Sequence, residues 1–265
     1  MRGFGEIAER LRRSTVQVFA QGHDGGGSGV IWNSDGRIVT NSHVARASQA
    51  DVVLWDGRRL PARLVSRDAR RDLAVLQAAD TGLPAATPGD SDALRPGELV
   101  IAIGSPLGFA GALSTGVVHS VGAIPGMGPE RWIGANVRLA PGNSGGPLAD
   151  AQGRVVGINT AIVNGLGVAV PANAAADFLR RGARPSLGVT LEPAPHGLRI
   201  LAVDPDGAAA QASLRPGDIL VGTFDRLTEM LDSGNDTLRL PFFRGDRSRL
   251  REVFVRVAPP RAEAA

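Results

Sequence analysis

The sequence predicts an all-β-dominated fold: two β units of similar size, then a small α+β module. Three observations predict it. Short runs rich in Val, Ile, Leu and Thr recur at regular spacing between Gly, Pro, Asn and Asp turn signals, with little helix between them, as in a sandwich or barrel. Pro84 to Pro96, rich in Pro, Gly and Asp, separates a first set of runs from a second. Beyond Gly182 to Pro185, strands mix with short helical stretches over roughly 75 residues, enough for an independent module. The expected domains are therefore 1–181, with β units at about 14–90 and 98–171, and 182–258, followed by a short Ala- and Pro-rich tail at 259–265.

Phe4, Ile7, Ala8 and Leu11 share one helical face, so a short amphipathic helix is expected over 5–13. Val16 to Ala20 reads as a strand, a glycine-rich link (Gly25, Gly26, Gly27, Gly29) follows, and Val30-Ile31-Trp32 reads as the next. Asn33-Ser34-Asp35-Gly36 is a hairpin turn, with Arg37 to Thr40 returning from it. Asp51 to Leu54 and Arg59 to Val65 flank Asp56-Gly57 in the same manner, and Leu73 to Gln77 completes the first set. The second set comprises Leu99 to Ile103, Leu113 to Val121, Gly146 to Ala149, Val155 to Ala161 and Gly167 to Val170. Ala172 to Arg181 is a closing helix, with Asn173 a candidate cap and Gly182 a stop. The module then offers strands Leu187 to Leu191, Leu198 to Val203, Ile219 to Val221, Thr237 to Phe243 and Glu252 to Val257, with helices Ala208 to Ala212 and Thr223 to Leu231.

Composition removes several function classes. The 265 residues contain no cysteine, which excludes disulfides, thiol chemistry and cysteine-based metal sites. All 29 basic residues are arginine, against 26 acidic ones, and there is no tyrosine. With neither Lys nor Tyr to titrate, the net +3 persists until arginine itself deprotonates, so the pI near 10.9 overstates the charge. Scattered, nearly balanced arginines argue against nucleic acid as the main partner. No apolar run approaches the roughly 20 residues of a membrane span, and Met1 to Arg13 is charged with no signal-peptide core after it, so a cytoplasmic location is expected if the chain is complete.

The chemistry converges on one stretch, Gly142-Asn143-Ser144-Gly145-Gly146-Pro147-Leu148. Glycines crowding a serine let the chain turn sharply, exposing the Ser144 hydroxyl and aiming N–H groups at a developing oxyanion. Alone, it is more safely read as a glycine-rich hairpin turn. Of four histidines, His23, His119 and His196 sit in a link, a strand and a loop, whereas His43 directly follows the Arg37 to Thr40 strand, a rigid platform for a base. Asp72 opens the apolar run Leu73-Ala74-Val75-Leu76; beside Arg70 and Arg71 it would be a solvated strand-end charge, and beside a histidine it becomes the orienter of an imidazole. The order His43, Asp72, Ser144, with two residues on the first β unit and one on the second, implies a site in the cleft between the units.

These pieces resemble the HtrA/Deg proteases: Thr40-Asn41-Ser42-His43-Val44, Asp72-Leu73-Ala74-Val75-Leu76, Gly104-Ser105-Pro106-Leu107-Gly108 and Pro141 to Leu148 match that family's motifs. The resemblance implies a chymotrypsin-like double β-barrel followed by a PDZ domain, and an ATP-independent serine endopeptidase acting on unfolded or extended polypeptides. On it, Ser144 is the nucleophile, His43 the general base and Asp72 its orienter. Gly142 and Ser144 supply oxyanion N–H groups, with Asn143 shaping the turn between them. Thr160, Ala161 and Ile162 pair with a substrate strand, and Leu139, Gly167, Val168 and Ala169 wall a pocket suited to small or medium aliphatic residues. Two departures stand out. Asn136 replaces a common aspartate, and Arg138, six residues before Ser144, would favour an acidic residue if it pointed inward; a solvent-facing guanidinium is the expectation, since a buried unpaired charge is expensive.

In the C-terminal module, Ser186-Leu187-Gly188-Val189 is similar to the PDZ carboxylate-binding loop, which would hold a peptide C-terminus between the Leu187 to Leu191 strand and the Thr223 to Leu231 helix. Val221-Gly222 passes almost directly into that helix, without the hairpin usual there, so the groove is shortened. A lid that only packs on the protease is the alternative. The family also implies a homotrimer built through the N-terminal segment and work in the cell envelope, and no metal or organic cofactor. A catalytically silent chaperone or adaptor is the competing function.

Overall fold

The computed structural model describes residues 3–22, 26–105, 111–181, 186–205, 207–233 and 235–257. The chain forms two compact units, Met1–Gly182 and Ala183–Ala265. The expected boundary at Gly182 to Pro185, His23 and the tail at 259–265 lie outside the described residues.

Helix α1 (Phe4–Arg13) buries Ile7 and Leu11, while Phe4, expected on the same face, is 53% exposed. The hydroxyls of Ser14 and Thr15 donate to Leu11 O at 3.0 and 2.8 Å and end the helix. Strands β1 (Thr15–Ala20), β2 (Gly27–Ile31), β3 (Arg37–Thr40), β4 (Gln49–Val53), β5 (Arg59–Asp68) and β6 (Leu73–Ala78) close into an antiparallel barrel in the order β1-β2-β3-β6-β5-β4. Alternate residues such as Val16, Val18, Ile38, Leu76 and Val52 fill its interior. A second barrel comprises β7 (Leu99–Gly104), β8 (Ala112–Gly122), β9 (Trp132–Ala135), β10 (Pro147–Asp150), β11 (Val155–Val163) and β12 (Leu166–Pro171), ordered β10-β11-β12-β9-β8-β7 around Val100, Ala102, Ile133, Leu148 and Val156. These are the two six-stranded closed barrels of the chymotrypsin-like fold.

Three expectations for this unit need correction. The glycine link is not a link throughout: Gly27, Ser28 and Gly29 belong to β2 and are fully packed. A Cβ on Gly29 would lie 2.8 Å from Ile38 Cγ2, so glycine here serves close approach rather than a loop. Strand β9 is an addition to the expected strands. Its four residues carry too little pattern to register, and it forms because β8 and β12 flank it and all four residues are buried. Asn173 does not cap helix α2 (Ala172–Arg181); it lies in the first turn, where its side-chain amide donates to Asp90 and Asp92 at 2.8 and 2.9 Å and its backbone N–H donates to Ser91 Oγ at 3.1 Å. That amide bond holds the Asp90 carboxyl below its usual pKa.

The second unit is a five-stranded antiparallel sheet, β13 (Val189–Ala194), β14 (Gly197–Val203), β15 (Ile219–Leu220), β16 (Thr237–Arg244) and β17 (Asp246–Arg256), in chain order, with helices α3 (Ala208–Gln211) and α4 (Phe224–Asp232). Leu198, Ile200, Leu220, Leu238, Leu240 and Val255 form its core with Leu231 of α4. Thr223 caps α4, its hydroxyl accepting the Arg226 N–H at 3.3 Å. The first strand begins at Val189, not Leu187, whose side chain is buried as part of a loop. The last begins at Asp246, not Glu252, because its arginine-rich start pairs with β16 without showing an apolar pattern.

Asp218 is 2% exposed, and Arg244 meets its carboxylate with Nε and Nη2 at 2.7 and 2.6 Å, raising the Arg244 pKa. Arg244→Met would leave this buried carboxylate with the Arg215 N–H at 2.8 Å as its remaining bond among the described residues. It is expected to destabilise the second unit by about 3 kcal/mol, read as a lowered denaturation midpoint; an unchanged midpoint would refute a structural role for the pair.

Candidate active site

Strand β3 ends at Thr40 and the chain turns through Asn41 to Val44, the Val44 and Ala45 N–H groups both donating to Asn41 O at 3.1 Å. His43 sits on this turn. Arg67 of β5 holds it from outside, Nε donating to Ser42 Oγ at 2.7 Å and Nη2 to Ser42 O at 2.8 Å, and Arg46 Nε donates to His43 O at 2.7 Å. Beyond β5, Asp68 Oδ1 accepts the Arg70 and Arg71 N–H groups at 3.1 and 3.2 Å and bends the chain into Asp72. Asp72 has φ 53°, a left-handed conformation that Asp tolerates better than most residues. The Asn41 amide donates to Asp72 O at 2.9 Å, and Arg70 reaches across to Glu130 of the second barrel at 2.9 Å.

Three donors converge on the Asp72 carboxylate. The His43 backbone N–H donates to Oδ1 at 3.0 Å, His43 Nδ1 meets Oδ2 at 2.8 Å, and the Thr160 hydroxyl donates to Oδ2. An ionised carboxylate only accepts, so the ring proton belongs on Nδ1 and Nε2 keeps its lone pair. That is the tautomer a general base needs.

The second barrel supplies the serine. In the loop 140–146, the Asn143 N–H donates to Ala140 O at 3.0 Å, Gly146 N–H to Asn143 O at 3.0 Å and Gly145 N–H to Asn159 O at 2.8 Å. Gly142 and Gly145 take φ of 104° and 87°, which a side chain would resist. Among the described residues the Gly142 and Ser144 N–H groups meet no acceptor, whereas the Asn143 N–H is engaged. The Ser144 hydroxyl donates to Thr160 O at 3.2 Å, rather than to the imidazole.

Strand β11 pairs with β10 only as far as Ile158, while Ala161 and Ile162 pair with Val168 and Gly167 of β12. Thr160 to Ile162 therefore keep one edge bare among the described strands. Leu139 is half-buried beside Gly167, where an added Cβ would lie 3.0 Å from Leu139 Cδ1 and 2.6 Å from Val137 Cγ2. Val168 is buried, and Ala169 faces the core of the second barrel. Asn136 clamps β8, its Oδ1 accepting the Val117 N–H at 2.7 Å, an acceptor role an aspartate would fill equally. Arg138 is exposed, with its backbone N–H on Ser114 Oγ at 2.8 Å.

The geometry agrees with what the chain resembles. The trypsin-like peptidase domain family matches residues 27–158. A DegP-like periplasmic serine endoprotease of Halomonas elongata is 37% identical over 257 residues, covering 82% of this chain and 54% of that protein. A similar one from Hahella chejuensis is 38% identical over 221 residues, covering 74% and 47%. The solved structure of the HtrA-type protease AlgW with a tripeptide superposes with a TM-score of 0.68 at 29% identity, covering 98% of each chain. The chain belongs to the HtrA-type, DegP-like serine proteases. It spans about half the length of the curated relatives it matches. Those relatives are named periplasmic, which runs against the cytoplasmic expectation. No helix among the described residues is long and apolar enough to cross a membrane.

In this HtrA-type chain, Thr160, expected to pair with a substrate strand, also bonds Asp72 through its hydroxyl, a contact with no local sequence signal. Thr160→Val keeps the shape and removes the hydroxyl; it is expected to lower kcat about tenfold at unchanged KM. A variant as fast as the parent on a fluorogenic peptide would refute the contribution. In the second unit, Gly188 has φ 69°, its N–H donates to Ser186 Oγ at 3.2 Å, and the Leu187 and Gly188 carbonyls accept the Ala209 and Asp204 N–H groups at 2.8 Å. A cavity of about 180 Å³ lies between α4 and β14 to β16.

Proposed function

We propose that this chain is an ATP-independent serine endopeptidase that cleaves unfolded or extended polypeptides after small or medium aliphatic residues, in protein quality control or regulated proteolysis. The observation that carries the reading is the 2.8 Å bond between His43 Nδ1 and Asp72 on the first barrel, which Thr160, bonded to both Asp72 and the Ser144 hydroxyl, joins to the serine loop of the second. A substrate adds as a strand along Thr160 to Ile162, so that its own N–H claims Thr160 O, the acceptor now held by the Ser144 hydroxyl. Displaced, the hydroxyl turns to His43 Nε2, which takes its proton as Oγ attacks the carbonyl carbon. The Gly142 and Ser144 N–H groups receive the oxyanion. The imidazolium then protonates the leaving amine, and water, activated by the same nitrogen, releases the acyl group.

Casein hydrolysis is expected to fall below detection in Ser144→Ala, with folding retained. A variant that still degrades casein would sink the assignment. Leu139 over Gly167 supports the aliphatic preference and the exposed Arg138 runs against an acidic one; a peptide-library profile with cuts chiefly after Asp or Glu would overturn it.

A second reading, a silent adaptor, draws on the resting serine, which bonds Thr160 O instead of the base. On it, the second unit is a PDZ-like domain binding peptide C-termini through Ser186 to Val189 and the free edge of β13, within a homotrimer. No turnover in the presence of such peptides, with peptide binding intact by calorimetry, would favour this reading over the enzyme.

A further inference from the structure

We propose that Ser28 is a positioning residue for the oxyanion loop, acting from the opposite barrel; this rests on the enzymatic reading above. Ser28 lies in β2, is fully buried, and uses every polar atom it has. Its N–H donates to Ser144 O at 2.7 Å, and its C=O accepts the Thr40 hydroxyl at 2.6 Å. Its hydroxyl donates to Gly142 O at 2.7 Å and accepts the Ser105 N–H at 2.9 Å. The polarity of that hydroxyl is unambiguous. A carbonyl can only accept and an N–H can only donate, so the single hydroxyl proton points at Gly142 O.

The consequence is geometric. Gly142 C=O and Asn143 N–H are opposite ends of one peptide plane, and this plane is held at both ends, by Ser28 and by Ala140 O. Ser144 O, two planes further on, is held by the Ser28 N–H. One residue of the first barrel thus grips the loop on both sides of Asn143 and sets where the flanking Gly142 and Ser144 N–H groups point. The neighbouring glycines make the grip possible. A Cβ on Gly27 would lie 2.6 Å from Val44 Cγ2 and 2.9 Å from Ser144 O, and one on Gly104 would lie 2.8 Å from Asn143 Cα. Gly-Ser-Gly at 27–29 is therefore a docking edge for the nucleophile loop.

The test separates positioning from packing. A peptide boronate bonds the serine oxygen and places its own oxygen in the oxyanion hole, whereas the matching product peptide, ending in a carboxylate, binds the substrate strand without forming that bond. Ser28→Ala is expected to lower kcat and boronate affinity together by about 10- to 100-fold, with KM and product-peptide affinity within about twofold. Ser28→Cys, which keeps the shape with a weaker donor, is expected to fall between, and supplies the same comparison if the alanine variant does not fold. A folded variant with unchanged kcat overturns the proposal, as does an equal loss of boronate and product affinity. If the parent protein neither hydrolyses casein nor binds the boronate, the enzymatic reading fails first; a working parent with an indifferent Ser28 removes only this proposal.

Discussion

Replacing Asp72 by Asn is expected to lower kcat by about 10⁴-fold with little change in KM or thermal stability. The size follows from the donors around the carboxylate. His43 Nδ1–H, His43 N–H and the Thr160 hydroxyl all point at it, and an ion can accept all three. An asparagine must present an NH2 group to one of them. Directed at the ring, it makes Nδ1 an acceptor, moves the proton to Nε2 and leaves no lone pair for the serine. Directed at the His43 backbone N–H, it sets two donors against each other and tilts the turn. Asparagine is also the clean substitution, because it tolerates the left-handed φ of 53° that alanine would resist. Steady-state kinetics on a fluorogenic peptide checks the outcome. A loss under about 10²-fold would mean that His43 does not depend on Asp72 for its tautomer.

Gly145→Ala is expected to abolish activity and to lower stability by about 4 kcal/mol. Two effects add. The residue has φ 87°, which a side chain resists by about 1 kcal/mol. Its Cβ would also drive into Ser28 O and the Thr40 hydroxyl, in the buried seam where the loop meets β2. Relief requires the loop to lift off Ser28, which misdirects the oxyanion N–H groups. For a unit of this size the melting temperature is expected to fall by about 8–16 °C, with Ser144 no longer labelled by a fluorophosphonate. A normally labelled variant with an unchanged melting temperature would contradict the close packing.

Much of this was legible in the residues. His43, Asp72 and Ser144 each stand at a strand end or glycine turn that asks for little beyond local backbone chemistry. The barrel strands announced themselves by apolar alternation, as at Val16 and Val18. What stayed hidden had no local signature. β9, four residues long, is too short to show a pattern, and exists because two neighbours leave a slot for it. Ser28 looked like part of a flexible link because the glycines that permit close packing read the same as glycines that permit bending. Arg67 lies beyond the strand expected at Arg59 to Val65 and carries no local signal, although it holds the His43 turn by two bonds.

The sequence by itself marked the candidates: a side chain that can attack, one that can take a proton and a carboxylate that can hold an imidazole, with the three falling on two β units. Those properties reside in residue type, spacing and immediate neighbours. Tertiary structure alone decided where the working groups point. The tautomer of His43 depends on Asp72, 29 residues away; the acceptor of the resting Ser144 hydroxyl is Thr160 O, 16 away; and the serine loop is gripped by Ser28, 114 away from Gly142. Hydrogen-bond direction is set by partners within about 3 Å, and partners so distant in the chain meet only once both barrels have closed.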